Sequence, residues 1–332
     1  MRSGARLTAL TPHPIDAVPA ALSGGLVAVG NFDGLHAGHR ALLALARAEA
    51  TRRGVPASVL TFEPHPRTVF RPTEPVFRLT PLPAKARLLK ALALDGLIVA
   101  DFTRAFAALT ASAFIDEVLV SRLGLAAAVV GFDFRFGQGR EGTAPFLAAT
   151  GVRKGFDVTI VEPVCAEDGT PVSSSAIRDD LAQGDIAAAN ARLGYRWFVV
   201  GEVISGDRRG RELGYPTANI RLGPDCRLRH GVYSVRMQRA DGTVIDGVAS
   251  YGRRPTFDDG PPLLEVFLFG FSGDLYGEKV VVCFVGWIRP ELKYDSAAAL
   301  VTAIGRDVEV ARGQLADASE DSALDKALAA IA

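Results

Sequence analysis

Apolar runs alternate with helix-patterned stretches through the first half of the chain, and this alternation is what most narrows the choice of fold. Leu26-Val27-Ala28-Val29, Ala57–Phe62, Gly96–Ala100, Ala126–Val130 and Asp157–Val161 each have the length and residue types of a buried strand. Between them, Arg40–Glu49, Pro83–Leu94, Thr110–Leu123 and Thr143–Arg153 carry helical patterns. Thr110 is placed as an N-cap, and Lys85, Arg87 and Lys90 fall on the polar side of Pro83–Leu94. The rhythm predicts a doubly wound α/β layer: a parallel sheet with helices on both faces. In such sheets ligands bind at the carboxyl ends of the strands, where the strand order switches. No Walker A sequence is present, and no G-x-G-x-x-G follows the first strand, which removes the common P-loop and dinucleotide readings.

The loops after the strands carry the chemistry. Gly30-Asn31-Phe32-Asp33-Gly34-Leu35-His36-Ala37-Gly38-His39 joins the Leu26–Val29 run to a helix. Unpaired N–H groups and the positive end of the helix dipole there suit a phosphate. His36 and His39, three residues apart, share one face of a helical turn. Gly38 between them lets a bulky ligand approach the backbone. His65, locked between Pro64 and Pro66, is either a rigid loop residue or a neighbour of the nucleotide phosphates. Asp133 and Arg135 alternate with Phe132, Phe134 and Phe136 in a loop that reads as facing a ligand. Ser173-Ser174-Ser175-Ala176-Ile177-Arg178 reads as a capped helix start able to bind an anion through Ser174 and Arg178.

From Trp197 the segments shorten and β-branched residues rise. Trp197–Val200, Gly231–Met237, Val244–Ser250, Leu264–Phe269 and Val280–Val285 read as strands of a small antiparallel barrel. Ser296–Leu315 reads as a closing helix with Ser296 as N-cap, and the tail from Asp317 as helical or frayed. Gly206-Asp207-Arg208-Arg209-Gly210-Arg211 is a basic glycine turn fit to cover phosphates. Gly214-Tyr215-Pro216-Thr217-Ala218-Asn219 reads as a loop offering a hydroxyl and an amide to a magnesium ion. Glu265, flanked by Leu264 and Val266, is a candidate general base or a solvated outer-face residue.

Composition excludes several function classes. Lys+Arg and Asp+Glu number 37 each, so no basic surplus points to nucleic acid. Cys165, Cys226 and Cys283 are isolated in sequence, which argues against a zinc site and for reduced thiols. The N-terminus has no apolar signal core, and the longest apolar run, Val280 to Ile288, is too short to span a bilayer. The expectation is a cytoplasmic protein without a membrane or nucleic-acid partner, its oligomeric state unassigned.

These motifs carry a resemblance. His36-Ala37-Gly38-His39 resembles the H-x-G-H signature of nucleotidyltransferases. With Gly30–His36, Thr61–Pro66, Gly131–Gly137 and Ser173–Arg178 in order, the first half is similar to the adenylyltransferase half of prokaryotic bifunctional riboflavin kinase/FAD synthetases. Gly206–Arg211, Pro216–Asn219, Gly252–Phe257 and Gly273–Gly277 resemble their riboflavin kinase half. That family usually has Thr and Arg where Ser175 and Ala176 stand, Asn at Ser250, His at Phe267 and Asp at Gly270.

The resemblance implies a Rossmann-like nucleotidyltransferase domain over residues 1–183 and a linker over 184–196. A riboflavin kinase barrel with its C-terminal helix follows over 197–316, then a tail over 317–332. It implies ATP-dependent phosphorylation of riboflavin to FMN, then adenylylation of FMN to FAD with release of pyrophosphate. ATP is the co-substrate, FMN the intermediate, and Mg²⁺ the metal at both sites. His36, His39 and Glu265 become the catalytic residues. Gly30, Asn31, Phe32, Asp33, Gly38, His65, Asp133, Arg135, Ser174 and Arg178 become ATP or FMN contacts. Gly206, Arg208, Gly210, Arg211, Gly214, Thr217, Asn219 and Arg254 become kinase contacts, with Thr217 and Asn219 as metal ligands. Phe267 and Gly270 raise the alternative of a weak or silent kinase half, and a flavin-binding regulator is the reading from another class.

Overall fold

The computed structural model describes residues 7–163, 172–206, 214–253, 262–318 and 321–331. Arg208, Gly210, Arg211, Arg254 and Cys165 lie outside these residues. The chain divides into two compact units: Thr8–Val76 with Thr80–Val172, and Phe77–Leu79 with Met1–Leu7 and Ser173–Ala332.

The first unit is the α/β layer. Its strands are β1 (Pro12–Pro14), β2 (Leu26–Val29), β3 (Ala57–Glu63), β4 (Gly96–Asp101), β5 (Ala127–Gly131) and, after a short hairpin of β6 (Arg135–Phe136) and β7 (Gly142–Thr143), β8 (Asp157–Val161). The sheet order is β1-β4-β3-β2-β5-β8, and every neighbouring pair is parallel. From β2 the chain moves outward through β3 to β4; from β5 it moves the other way to β8. The switch point therefore lies between β2 and β5, and the loops leaving both strands are the expected ligand-binding loops. Continuous burial of Leu26–Val29 and of Ala57–Phe62 reflects a sheet covered on both faces.

The helices of this unit are α1 (Ala37–Arg53), α2 (Pro66–Phe70), α3 (Leu82–Ala91), α4 (Arg104–Ala107), α5 (Ala111–Ala113) and α6 (Ala144–Lys154). Thr110 and Thr143 cap α5 and α6 through their hydroxyls. Helix α5 continues as a π-helix over Phe114–Arg122, a winding that the apolar spacing did not distinguish from an α-helix. Its Phe114, Ile115, Val118 and Leu119 pack on Val27, Val29, Ile98 and Ala128 of the sheet. Helix α3 corrects one expectation: Lys85 and Arg87 are buried, at 0% and 7% exposure, rather than on a solvated face.

The second unit is a closed antiparallel barrel of six strands. These are β9 (Phe198–Ile204), β10 (Thr217–Arg221), β11 (Gly231–Gln238), β12 (Val244–Gly252), β13 (Leu263–Leu268) and β14 (Lys279–Pro290). They follow helices α7 (Ser174–Gln183) and α8 (Ile186–Leu193) and close in the order β10-β13-β12-β11-β14-β9. Strand β10 is a second correction, since Thr217 and Asn219 sit on a strand and not in a loop. Alternation explains it: Ala218 and Ile220 are buried in the barrel interior with Leu264 and Val266 of β13.

Helix α9 (Ala297–Asp317), capped by Ser296, packs Val308, Ala311 and Leu315 on Val232 and Val248 of the barrel wall. The tail is helical in α10 (Ala323–Ala329), with a Ser322–Asp325 capping box. Gln238 of β11 donates to Ala329 O at 2.8 Å, which docks this helix on the barrel. Phe77–Leu79 belong to the same unit: the Trp197 indole donates to Leu79 O at 2.9 Å, and Arg78 N donates to Asp225 Oδ2 at 2.9 Å.

Candidate functional sites

The histidine turn leaves the end of β2 and enters α1. Its backbone is strained, with φ of 45° at Phe32, 84° at Gly34 and 43° at Leu35. Burial holds the two non-glycine residues there: Phe32 is 2% exposed and Leu35 fully buried. Asp33 also turns inward, accepting from Thr80 N at 2.9 Å and Thr80 Oγ1 at 3.2 Å. The same Thr80 hydroxyl accepts from Gly34 N at 2.9 Å. Asp33 is thus a latch on the turn in this structure. Gly30 continues the sheet ladder by donating to Leu60 O at 3.1 Å, and its missing Cβ leaves room for the Phe32 ring.

His36 is the N-cap residue of α1, yet its side chain makes no capping bond, and no acidic residue sits in the first turn. The first-turn N–H groups at Ala37, Gly38 and His39 therefore carry an unneutralised positive dipole. The His36 and His39 rings stack at 3.9 Å with 23° between their planes, and Phe32 packs edge-on to His39 at 5.4 Å. Burial, with Arg40 adding repulsion, lowers the His36 pKa to about 4 against a partial pull from Asp33. Burial and then the His36 ring hold His39 well below the ordinary histidine value. Both rings are uncharged near pH 7. The Nδ1 atoms of both, and Asn31 Oδ1, are buried without a hydrogen-bond partner among the described residues. Buried orphan atoms of this kind cost free energy unless a ligand or water meets them.

Other expected contacts of this unit are spread over the neighbouring loops. His65 caps α2, its Nδ1 accepting from Arg67 N at 3.2 Å. Asp133, on the loop that leaves β5, and Arg135, at the start of β6, are both exposed, across the switch point from the histidine turn. Between them, Phe134 stacks on the buried Phe136 at 5.3 Å. Ser174 and Arg178 belong to the barrel unit. Ser173, not Ser174, caps α7 by accepting from Ala176 N, and Arg178 Nε donates to Phe77 O at 2.7 Å.

The second candidate site is a row across three strands. Strand register sets Asn219 of β10 opposite Glu265 of β13, and Glu265 opposite Ser250 of β12. Thr217, two residues before Asn219, shares its face and lies opposite Phe267. Asn219 Oδ1 is buried without a partner among the described residues. Phe267 packs edge-on to Tyr215 at 5.1 Å, within the apolar cluster under α9. Gly206 follows β9, while Gly214, at φ 84°, leads into β10. Among the described residues no cluster of His, Cys, Asp and Glu side chains could hold a metal by itself.

Two family models cover these two sites. An FAD synthetase model matches residues 18–176, and a riboflavin kinase model matches residues 193–315. The chain belongs to the bifunctional riboflavin kinase/FMN adenylyltransferase family. The Escherichia coli K12 enzyme of that name is 40% identical over 289 residues, covering 87% of this chain and 92% of the relative. The Bacillus subtilis enzyme is 35% identical over 304 residues, covering 90% and 95%. A solved structure described as a macrolide-efflux protein from Streptococcus pneumoniae is similar at a TM-score of 0.77 and 32% identity, covering 91% of this chain and 98% of that one. No described helix of this chain is long and apolar enough to cross a membrane.

Each half has a buried or half-buried charged residue beside its candidate site that sequence spacing alone does not mark. In the FAD synthetase half it is Lys85, buried beneath the histidine turn. In the riboflavin kinase half it is Glu291, just past β14. A Cβ built on Gly252 would lie 2.5 Å from Glu291 Oε2, so the carboxylate occupies the space that glycine leaves. Gly252 is two residues beyond Ser250 on β12, which puts Glu291 beside the Glu265 row. Burial and then the Glu265 charge push the Glu291 pKa up. Lys85 stands in helical spacing, where a lysine normally marks the wet face. Glu291 is 26 positions from Glu265, and only the barrel register brings them together.

Proposed function

We propose that the two sites divide two ATP-dependent steps: riboflavin to FMN in the barrel unit, and FMN to FAD in the sheet unit. In the second step the FMN phosphate attacks the α-phosphorus of ATP and pyrophosphate leaves. This nucleophile is already an anion, so the site needs hydrogen-bond donors and no strong base. His36 and His39, both neutral, each offer one ring N–H to the transferring phosphate or the departing pyrophosphate. The start of α1 adds its backbone N–H groups, and Gly38 keeps the approach open. Gly30, Asn31, Phe32, Asp133 and Arg135 line the flavin and nucleotide on either side of the switch point. The stacked, uncharged histidine pair at a helix start, with unsatisfied Nδ1 atoms, carries this reading.

In the first step a neutral hydroxyl must attack, and a base is needed. Glu265 takes the proton of the terminal ribityl hydroxyl as that oxygen attacks the γ-phosphorus of ATP; FMN and ADP result. Thr217 and Asn219 are neutral oxygen donors on one face beside a carboxylate, with Asn219 Oδ1 buried and unmet, a donor set that suits a Mg²⁺ shared with ATP phosphates. When bound, the ion neutralises phosphate charge. Phe267 lies within the apolar cluster under α9, leaving the Asn219–Glu265–Ser250 row intact, which supports an active kinase over the silent alternative. The cytoplasm, where ATP is abundant, is the compartment this reading favours.

The test supplies riboflavin, ATP and Mg²⁺ to the purified chain and follows flavins by chromatography. The expected outcome is FMN followed by FAD. Turnover only when FMN is supplied would overturn the kinase half of the reading.

A further inference from the structure

Lys85 is fully buried, and its ammonium meets the base of the histidine turn and the end of β3. Nζ donates to Asn31 O at 2.7 Å and to Thr61 Oγ1 at 2.8 Å, and lies 3.8 Å from Glu63 Oε1. The Thr61 hydroxyl donates in turn to Asn31 O, at 3.2 Å. One carbonyl thus receives two donors, and it is the carbonyl of the peptide that leads into Phe32 at φ 45°. Phe32 then carries its ring to His39, and His39 stacks on His36. A buried ammonium is costly to desolvate, and a methionine would fill the same volume without that cost. Its short contacts to Asn31 O and Thr61 Oγ1 go to neutral oxygens at the ends of β2 and β3, while Glu63 Oε1 stands farther off at 3.8 Å.

We propose that Lys85 is a positioning residue for adenylyl transfer: its ammonium pins the Asn31 carbonyl and the Thr61 hydroxyl, and so sets the turn that presents His36 and His39. The inference rests on the reading of that turn as the adenylyl-transfer site. A second consequence follows from its charge. Lys85 is one of the cations that disfavour a proton on His39, after burial and the His36 ring. Lys85 therefore helps keep the pair uncharged while holding it in place.

Three variants test this by adenylylation of supplied FMN across pH, with riboflavin phosphorylation on the same chain as the internal control. Lys85→Met should lower kcat for adenylylation about tenfold or more with a smaller change in KM, since small displacements of positioned groups are felt mainly in turnover. The acid limb of its pH profile should move to higher pH, because His39 loses a repelling cation. Thr61→Val keeps that charge; it should lower kcat without moving the limb. Kinase activity should be unchanged in both. Adenylylation with unaltered kcat and acid limb in Lys85→Met would overturn the proposal, as would parallel loss of both activities in both variants. His36→Ala separates the two levels: if it leaves adenylylation intact, the reading of the turn fails, whatever the Lys85 variant does.

Discussion

The histidine turn and the Glu265 row solve related problems with opposite materials. The turn is backbone and loop: a strained Phe32–Leu35 segment, a helix start and two imidazoles kept neutral by burial. The row is strand register: Asn219, Glu265 and Ser250 face one another because three antiparallel strands are aligned. On the proposed assignment of the two steps, the chemistry accounts for the contrast. An FMN phosphate arrives as an anion, and a carboxylate base near it would only add repulsion. A ribityl hydroxyl arrives neutral and needs a carboxylate to take its proton. Topology locates the first site, since any doubly wound sheet has a crevice at its switch point. Pairing register alone locates the second, and a slip by one residue would turn Glu265 into the barrel interior.

The largest effect should break the contrast from the kinase side. Glu265→Gln should lower FMN formation by about 10²–10⁴-fold, the usual span for a general base, and leave adenylylation of supplied FMN unchanged. Assaying both steps on one preparation checks this. From the other side, His36→Ala should cut adenylylation by roughly 10²–10³-fold, as expected for a lost electrostatic donor, and spare the kinase. A single variant that removed both activities with the fold intact would dissolve the two-site picture.

Stability against pH sharpens the comparison further. With a folded pKa of about 4 and an ordinary value of 6.5, His36 is neutral when folded and takes a proton more readily when unfolded. Its contribution is fully present above 6.5 and is lost as pH falls from 6.5 towards 4. Between neutral pH and pH 5 the loss should be roughly 2 kcal/mol from this residue. His39 acts in the same direction. Urea unfolding at several pH values, with and without His36→Ala, reads it: the variant should flatten the slope. The smallest effect concerns the metal. Thr217→Val should raise the Mg²⁺ concentration for half-maximal kinase activity about tenfold, or ~1.4 kcal/mol, and leave the requirement for adenylylation unaltered.

Much of this was legible because local chemistry and global fold agree. Strands β2 to β5 read directly from apolar runs, and Thr110 and Ser296 announced their helix starts. The His36–His39 stack follows from their spacing at a helix turn. Strand β1 was not legible, since a three-residue edge strand containing two prolines carries no period. Strand β10 has the sequence of a loop, because Gly214 and Pro216 precede its polar residues and its pairing partners are supplied by distant strands. Lys85 was hidden because helical periodicity ranks a lysine as polar and cannot foresee an acceptor such as Asn31 O waiting inside.

The strap Phe77–Leu79 bears on any attempt to dissect the enzyme. A gene fragment cut at the apparent junction and beginning near residue 184 would encode every barrel strand but omit these three residues. The Trp197 indole would lose its acceptor at Leu79 and its ring contact with Phe77, and Asp225 would lose the Arg78 N–H. An indole N–H left without a partner in a buried place costs about 1–3 kcal/mol before any lost packing is counted. The compact unit that holds the barrel is therefore discontinuous along the chain, and a fragment starting near residue 184 should be less stable than the same barrel supplied with a grafted strap peptide.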